Sequence, residues 1–315
     1  MDLSATTAAA KELVDNVERV ITGKTRAVEL ATIALLAGQH LLVEDVPGVG
    51  KTMLGRAIAL SIDGSFKRIQ GTSDLLPADI TGSTVFDQST GSFSFVPGPI
   101  FANVVLFDEI NRAAPKAQSA LLQVMDEGVV SSDGDLYDVP KPFFVVATRN
   151  PVEHHGTFPL PEGALDRFGL SIEMGYPAHG VERRVIEAQL LAHPVDEVEP
   201  VMEPEELVAH QAAIRSVYID GSVLDYIVSM VRATREHASV ALGASPRASV
   251  SLTRAAQASA VLRGRDYVLP DDVQHTATAV LTHRVLLAVQ STDVKTLLDE
   301  ITGSVPVPVE SNPAR

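Results

Sequence analysis

Residues 41–52 read LLVEDVPGVGKT. Leu41-Leu42-Val43 is a short apolar run that stops at Asp45 and a Pro47-Gly48 turn. Beyond it, Leu54, Ala57 and Ile58 recur at helical spacing from Lys51 to about Ile62. A tight turn between a buried strand and a helix gives Gly48-Val49-Gly50-Lys51-Thr52 its meaning. The glycines let the backbone curl so that successive N–H groups face an anion, and the helix N-terminus adds its positive dipole end. Lys51 can then reach the outer phosphates of a nucleotide, and Thr52 can hold Mg²⁺. The strict pattern asks for glycine five residues before Gly50, where this chain has Asp45. On the motif alone, an ordinary turn ahead of a helix stays a competing reading.

The flanking sequence narrows that choice. Further strand candidates run over Phe66–Ile69, Val104–Phe107, Phe143–Ala147 and Leu170–Met174. Continuous apolar strands separated by helical segments predict a parallel sheet covered on both faces, an α/β domain. The third run ends in Asp108-Glu109, two carboxylates at the end of a buried strand, where ligands of such sheets bind. Asp108 can hold Mg²⁺ through its waters, and Glu109 can orient or deprotonate an attacking water. The fourth run leads to Asn150, whose amide would emerge at the same edge and could bond both the γ-phosphate and that water. Together these residues predict ATP binding and hydrolysis. Arg247 lies in the first turn of a helix, where a cation opposes the dipole unless an anion faces it. Arg167 precedes the fifth strand, and either a neighbouring subunit's site or a structural ion pair would explain it.

Two inserts interrupt the rhythm. Val85–Pro97 and Val129–Val139 read as hairpins around polar tips, with Phe86, Phe93 and Phe95 on the first. These three and Phe66 are expected to pack rather than to stack on bases. Between His193 and Pro204 the composition turns acidic and proline-rich, which reads as a solvated linker. After it no strand is expected; Gly221–His237, Ser245–Arg263 and Pro270–Val289 repeat apolar residues at helical spacing, with Pro246 and Pro270 as helix starts. The predicted organisation is an α/β domain over 1–195, a linker over 196–206, a helical lid over 207–303 and a frayed tail over 304–315.

Over the quoted segments the chain resembles the MoxR family of AAA+ ATPases. They are ITGK (21–24), LLVEDVPGVGKT (41–52), RIQGTSDLLPADITG (68–82), FVPGPIFANVVLFDEINRAAPKAQSALLQVMDEG (95–128), ATRNPVEHHGTFPLPEGALDRF (147–168), LGASPRASVSLTRAA (242–256) and LRGRDYVLPDDV (262–273). The resemblance implies an AAA+ P-loop sheet followed by a smaller all-α lid. It assigns Pro47, Gly48, Val49, Gly50, Lys51, Thr52 and Met53 to the nucleotide loop, and Asp108 and Glu109 to the Walker B pair. It makes Asn150 sensor 1, Arg167 a trans-acting arginine finger and Arg247 sensor 2, and passes the adenine by Ile21 and Gly23. It further implies a ring of identical subunits, usually a hexamer, and chaperone-like work on a client protein, often with a partner bearing a von Willebrand factor A domain. Family members usually carry Gln where this chain has Arg149, which leaves open whether Arg149 faces nucleotide or neighbour.

Composition limits the alternatives. Twenty-five Lys and Arg against 40 Asp and Glu give a net charge of −15, which disfavours a nucleic-acid motor of the same fold. A chelatase-type motor or a nucleotide-gated scaffold with negligible turnover are the other readings. With no cysteine, disulfides and thiol chemistry are excluded. The N-terminus carries charges where a signal peptide needs apolar residues, and no apolar run approaches membrane length, so a cytoplasmic location is expected. Glu153, His154 and His155 make only a weak metal-site candidate.

Overall fold

In the computed structural model, described over residues 3–89, 91–151, 156–191, 193–288 and 293–308, the chain opens with two helices, α1 (Leu3–Val20) and α2 (Thr25–Leu36). The expected alternation follows: β1 (Leu41–Glu44), α3 (Lys51–Ser61), β2 (Phe66–Gln70), α4 (Pro77–Thr81), the hairpin β3 (Gly82–Asp87) and β4 (Ser92–Pro97), β5 (Val104–Asp108) and α5 (Pro115–Glu127). A second hairpin, β6 (Val129–Ser132) and β7 (Asp135–Asp138), precedes β8 (Phe144–Arg149), the short α6 (Glu162–Leu165) and β9 (Leu170–Ile172). The remainder is α7 (His179–Leu191), α8 (Pro204–Ile214), α9 (Gly221–Glu236), the strand β10 (Val240–Leu242), α10 (Pro246–Leu262), α11 (Pro270–Leu281), β11 (Leu286–Leu287) and α12 (Val294–Ser304). No described helix is long and apolar enough to cross a membrane.

Five strands form one sheet in the order β2-β5-β8-β1-β9, every pairing parallel. Successive side chains point to opposite faces, and both faces are buried. Leu41, Val43, Val104, Leu106, Val146 and Leu170 pack toward α1–α3, in a core that runs on without a break into α8–α11. Leu42, Val105, Phe107, Val145 and Ala147 form a second core with α4 and α5. The central strands β1, β5 and β8 therefore carry continuous apolar runs rather than alternate ones, whereas the edge strand β2 exposes Lys67, Arg68 and Gln70.

The helical half starts where its prolines predict. Ser245 caps α10 by accepting from the Arg247 N–H at 3.1 Å, and Pro246 and Pro270 occupy first turns. One buried carboxylate organises its C-terminal part: Asp272 accepts from both Arg265 terminal nitrogens at 2.6 and 2.7 Å and from the Leu269 N–H at 2.9 Å.

Three expectations need correction: a helix end, the absence of strands after the linker, and the linker itself. The helix predicted to Val289 stops at Leu281, because β11 pairs with β10 in a small antiparallel ladder that had been excluded. The acidic linker is not merely solvated. Val195 is fully buried, the Val201 N–H donates to Ser61 O at 2.9 Å, Asn16 donates to Glu199 O at 2.9 Å, and Arg56 pairs with Asp196 at 3.2 Å. Backbone bonds to α1 and α3 hold it down while its carboxylates stay wet. The hairpin phenylalanines pack as expected: Phe86 and Phe93 lie against each other with centroids 5.0 Å apart while remaining 48% and 72% exposed. Phe95 stacks on Tyr137 at 4.0 Å and ties the two hairpins together. The Glu153-His154-His155 run and most of the tail lie outside the described residues.

The start of β1 carries a histidine with both ring nitrogens engaged. The Val145 N–H donates to His40 Nδ1 at 3.1 Å, and Nε2 lies 3.3 Å from Met125 O, so the ring is neutral with its proton on Nε2. Desolvation lowers its pKa from 6.5 to about 4, against a smaller opposing effect of the Met125 carbonyl. His283 is lowered as well, first by burial and then by the Arg284 charge. A folded pKa below the unfolded one means the unfolded chain binds more protons in this window, so stability falls as pH drops from about 6.5 to 4. Chemical denaturation across that range should show the loss, and His40→Gln should reduce it, leaving the part due to His283.

Candidate functional site

The backbone between β1 and α3 bends at Gly48 (φ 84°) and Gly50 (φ 99°), both in the left-handed region that glycine enters without strain. Nothing lies within 4 Å of a side chain built at Gly48, so the loop presents bare backbone to open space. Lys51 begins α3, is 9% exposed, and donates from Nζ to Asp45 O at 2.7 Å. The residue that broke the strict pattern has its own task. Asp45 Oδ1 accepts from the Val46 N–H at 2.8 Å, while Oδ2 accepts from Met174 N–H at 2.7 Å and Gly175 N–H at 2.5 Å. Its carboxylate thus fastens the loop to the chain leaving β9.

A cavity of about 400 Å³ opens against this loop. Pro47, Gly48, Gly50, Lys51, Thr52 and Met53 form one wall, and Asp108, Glu109, Asn150, Arg68 and Gln70 the other. The carboxylates sit where β5 predicts. Asp108 accepts from Thr148 Oγ1 at 2.6 Å and from Arg68 Nη2 at 2.6 Å. Glu109 holds φ 55°, a left-handed conformation unusual for a residue with a side chain. Its N–H donates to Thr148 Oγ1 at 2.9 Å. Its Oε2 accepts from Gln70 at 2.9 Å and Arg112 at 3.2 Å. Asn150 follows β8 and is 7% exposed at the same edge.

The cavity suits a magnesium–nucleotide polyphosphate. Curled amides and a helix N-terminus carry partial positive charge for phosphates, and Lys51 adds a full charge. The Thr52 hydroxyl and the Asp108 carboxylate are hard oxygen donors of the kind Mg²⁺ takes.

Several residues of this site were missed in the sequence. Gly71 follows β2, and its N–H donates to Asp108 O at 2.7 Å. A Cβ there would lie 2.1 Å from Glu109 O, so only glycine lets the two strand ends run this close. Arg68, Gln70 and Thr148 hold the carboxylates. The segment RIQGT at 68–72 was visible, but no spacing rule links it to Asp108.

Other expected residues do not line this cavity. Arg149 is turned away from the cavity, donating to Glu44 Oε2 from Nε at 2.8 Å and Nη2 at 2.5 Å, and Ser171 holds the other Glu44 oxygen at 2.9 Å. Ile21 is buried, and its Cδ1 comes within 3.8 Å of a Cβ built at Gly50. Gly23 (φ 75°) backs onto Val181 of α7, where a Cβ would meet the side chain at 2.8 Å. Gly23 lines a separate cavity of about 600 Å³ with Lys24, Glu44, Met174 and Lys295.

Neither Arg167 nor Arg247 reaches the phosphate loop. Gly169 N–H donates to His40 O at 2.8 Å, which places the 167–169 stretch at the start of β1. The loop lies beyond its end, roughly 13 Å away at a strand's rise per residue. There the two arginines meet on Asp126: Arg167 Nε donates to Oδ2 at 2.5 Å, and Arg247 Nη1 to Oδ1 at 3.5 Å. The sensor-2 expectation for Arg247 therefore does not hold within one chain. Asp166 ties this end to the lid, accepting from Ser245 Oγ at 2.7 Å and from the buried Arg284 at 2.9 Å.

Comparison with known proteins agrees with this architecture. Residues 40–170 match the ATPase family associated with various cellular activities (AAA), and residues 232–301 match the AAA lid domain. The chain is 48% identical to the uncharacterized protein YeaC of Bacillus subtilis, over 96% of each chain. It is 40% identical to Chaperone MoxR1 of Mycobacterium tuberculosis, covering 92% of this chain and 77% of that one. Protein MoxR of Methylorubrum extorquens is 33% identical over 89% of this chain and 88% of its own. A crystal structure of a protein from Cytophaga hutchinsonii superposes with a TM-score of 0.90 at 34% identity, covering 98% of this chain and 97% of that one.

Two substitutions test the geometry. Asp45→Gly restores the strict motif yet removes three charge-assisted backbone bonds. Each contributes about 1.5–3 kcal/mol when intact, so nucleotide affinity measured by titration should fall about tenfold or more. Gly71→Ala should leave nucleotide binding in place and abolish most turnover, because it displaces the backbone of Glu109.

Proposed function

Because the chain belongs to the MoxR family of AAA+ ATPases, we propose that it hydrolyses Mg²⁺-ATP between neighbouring copies in a ring, most simply a hexamer, to remodel a client protein in the cytoplasm. The observation that carries this reading is the single cavity shared by the phosphate loop, the Asp108-Glu109 pair and Asn150. Its complement is the arginine pair at the opposite end of the same sheet.

The chemistry follows from the placement. The loop amides and Lys51 bind the β and γ phosphates, and Thr52 and Asp108 would hold Mg²⁺, which would neutralise charge developing on the phosphate oxygens. Glu109 orients a water and accepts its proton as the water oxygen bonds to the γ-phosphorus. The bond from that phosphorus to the bridging oxygen breaks, ADP keeps the electron pair, and the proton ends on inorganic phosphate. Gln70 and Arg112 fix the Glu109 carboxylate, and Asn150 bonds the γ-phosphate from the β8 end. The charge that builds up still needs a cation from outside, and Arg167 and Arg247 of the next copy supply it.

The chaperone-like role rests on the MoxR relatives, one of which is named a chaperone. In this reading a client docks through an adaptor carrying a von Willebrand factor A domain.

Glu109→Gln should bind ATP with unchanged affinity while turnover falls about 10²- to 10⁴-fold, the range of general-base catalysis. Lys51→Ala should lose nucleotide binding. Wild-type turnover in Glu109→Gln would rule out the assigned base. ATP-dependent binding of a von Willebrand A-domain protein by the same trapped variant, absent from Lys51→Ala, is the expected result for the adaptor.

A further inference from the structure

The arginine end of the molecule contains a carboxylate that no step above uses. Asp126 lies in the last turn of α5, followed by Glu127 and the Gly128 cap. Anions oppose the helix dipole at that position, so this placement calls for compensating cations. They come from two distant segments: Arg167 from the stretch before β9, and Arg247 from the first turn of α10 in the lid. Each takes a different oxygen of the one carboxylate.

The local charge balance is positive in an otherwise acidic chain. Arg167, Arg247 and Arg254 line a cavity of about 250 Å³ with Asp126 and Asp166. Asp166 is committed to the buried Arg284, and Arg254 makes no ion pair among the described residues. Among the described residues, Asp126 is thus the one carboxylate that pairs with the arginines of this cavity. The three side chains are between 31% and 54% exposed, and such pairs add little to stability. Their effect is on direction. Arg167 is pinned at two points, Nε on Asp126 at 2.5 Å and Nη1 on Gly163 O at 2.7 Å. In a planar guanidinium, fixing two nitrogens fixes where the third points. Nη2 has no hydrogen-bond partner among the described residues.

We propose that Asp126 is a positioning residue: it aims Arg167 and holds Arg247 beside it, so that the pair meets the polyphosphate bound by a second copy of this chain. The inference rests on the reading that the two arginines act on a neighbour's site. Asp126 touches neither nucleotide nor water. It removes the repulsion between two like charges and the rotamer freedom of a long side chain before the subunits meet.

The test uses the full chain. Asp126→Ala should lower kcat about 10- to 100-fold, the effect of misplacing a reacting group by about 1 Å. The KM for ATP and the affinity for a fluorescent ATP analogue should stay within about twofold, since the phosphate loop is untouched. Asp126→Glu should recover most of the loss, and thermal melts of both variants should match wild type. Subunit mixing separates the levels. Lys51→Ala subunits keep intact arginines, so mixing them with Arg167→Ala subunits should restore turnover at mixed interfaces, and mixing them with Asp126→Ala subunits should do the same. If Arg167→Ala is impaired and complemented but Asp126→Ala turns over at the wild-type rate or faster, the positioning role is wrong and the trans reading survives. If Arg167→Ala fails to complement Lys51→Ala, the trans reading itself falls.

Discussion

The parallel direction of β1, β8 and β5 is the constraint from which the rest of this molecule follows. Parallel strands put all their C-terminal ends at one edge, and the phosphate loop, Asp108-Glu109 and Asn150 collect there. The same direction sends the segments that enter the strands to the opposite edge, where His40, Arg167 and Asp126 lie. Anion-binding groups and the exposed cations that would complete them are therefore separated by the length of the sheet. A single chain cannot close that distance without breaking its ladder, whereas two copies placed edge to edge can.

The lid takes part in this division. Its core is continuous with the α1–α3 face of the sheet, so it is packed against the domain rather than tethered by a loose linker. Asp166 is the polar counterpart of that packing. It receives Ser245, which caps the helix bearing Arg247, and Arg284, whose remaining donors reach Phe168 O, Gly169 O, Val280 O and Ser251 Oγ. Burial lowers the Arg284 pKa first, the nearby Arg247 charge adds to that, and the Asp166 carboxylate opposes both. A buried guanidinium needs all these acceptors to be tolerated. These bonds join α10 and the end of α11 to the stretch that carries Arg167.

Much of this was legible in the chain. The continuous apolar runs of the central strands, the glycines of the loop, the carboxylates ending β5 and the proline-led helices each have a local physical cause, and local causes survive into the fold. What was not legible depends on pairs far apart in sequence. Asp45 looked like a defect because its partners, the Met174 and Gly175 amides, lie about 130 residues away. The acidic stretch before α8 looked solvated because composition reports side chains, while its backbone is bonded to Ser61 and Asn16. Phe86 and Phe93 do pack, as expected, but only the fold shows that they pack on each other.

The sequence by itself determined the α/β layering, the phosphate loop and the presence of Lys51, Thr52, Asp108, Glu109 and Asn150 at one edge, because strand direction and strand-end position follow from pattern and order. Tertiary structure alone decided that Arg149 is spent on Glu44, that Gly71 must lack a side chain, and that Arg167 and Arg247 share Asp126 at the far edge. Those outcomes depend on which strand ends and helix termini come together, and that is set by packing across the sheet rather than by any residue's own preference.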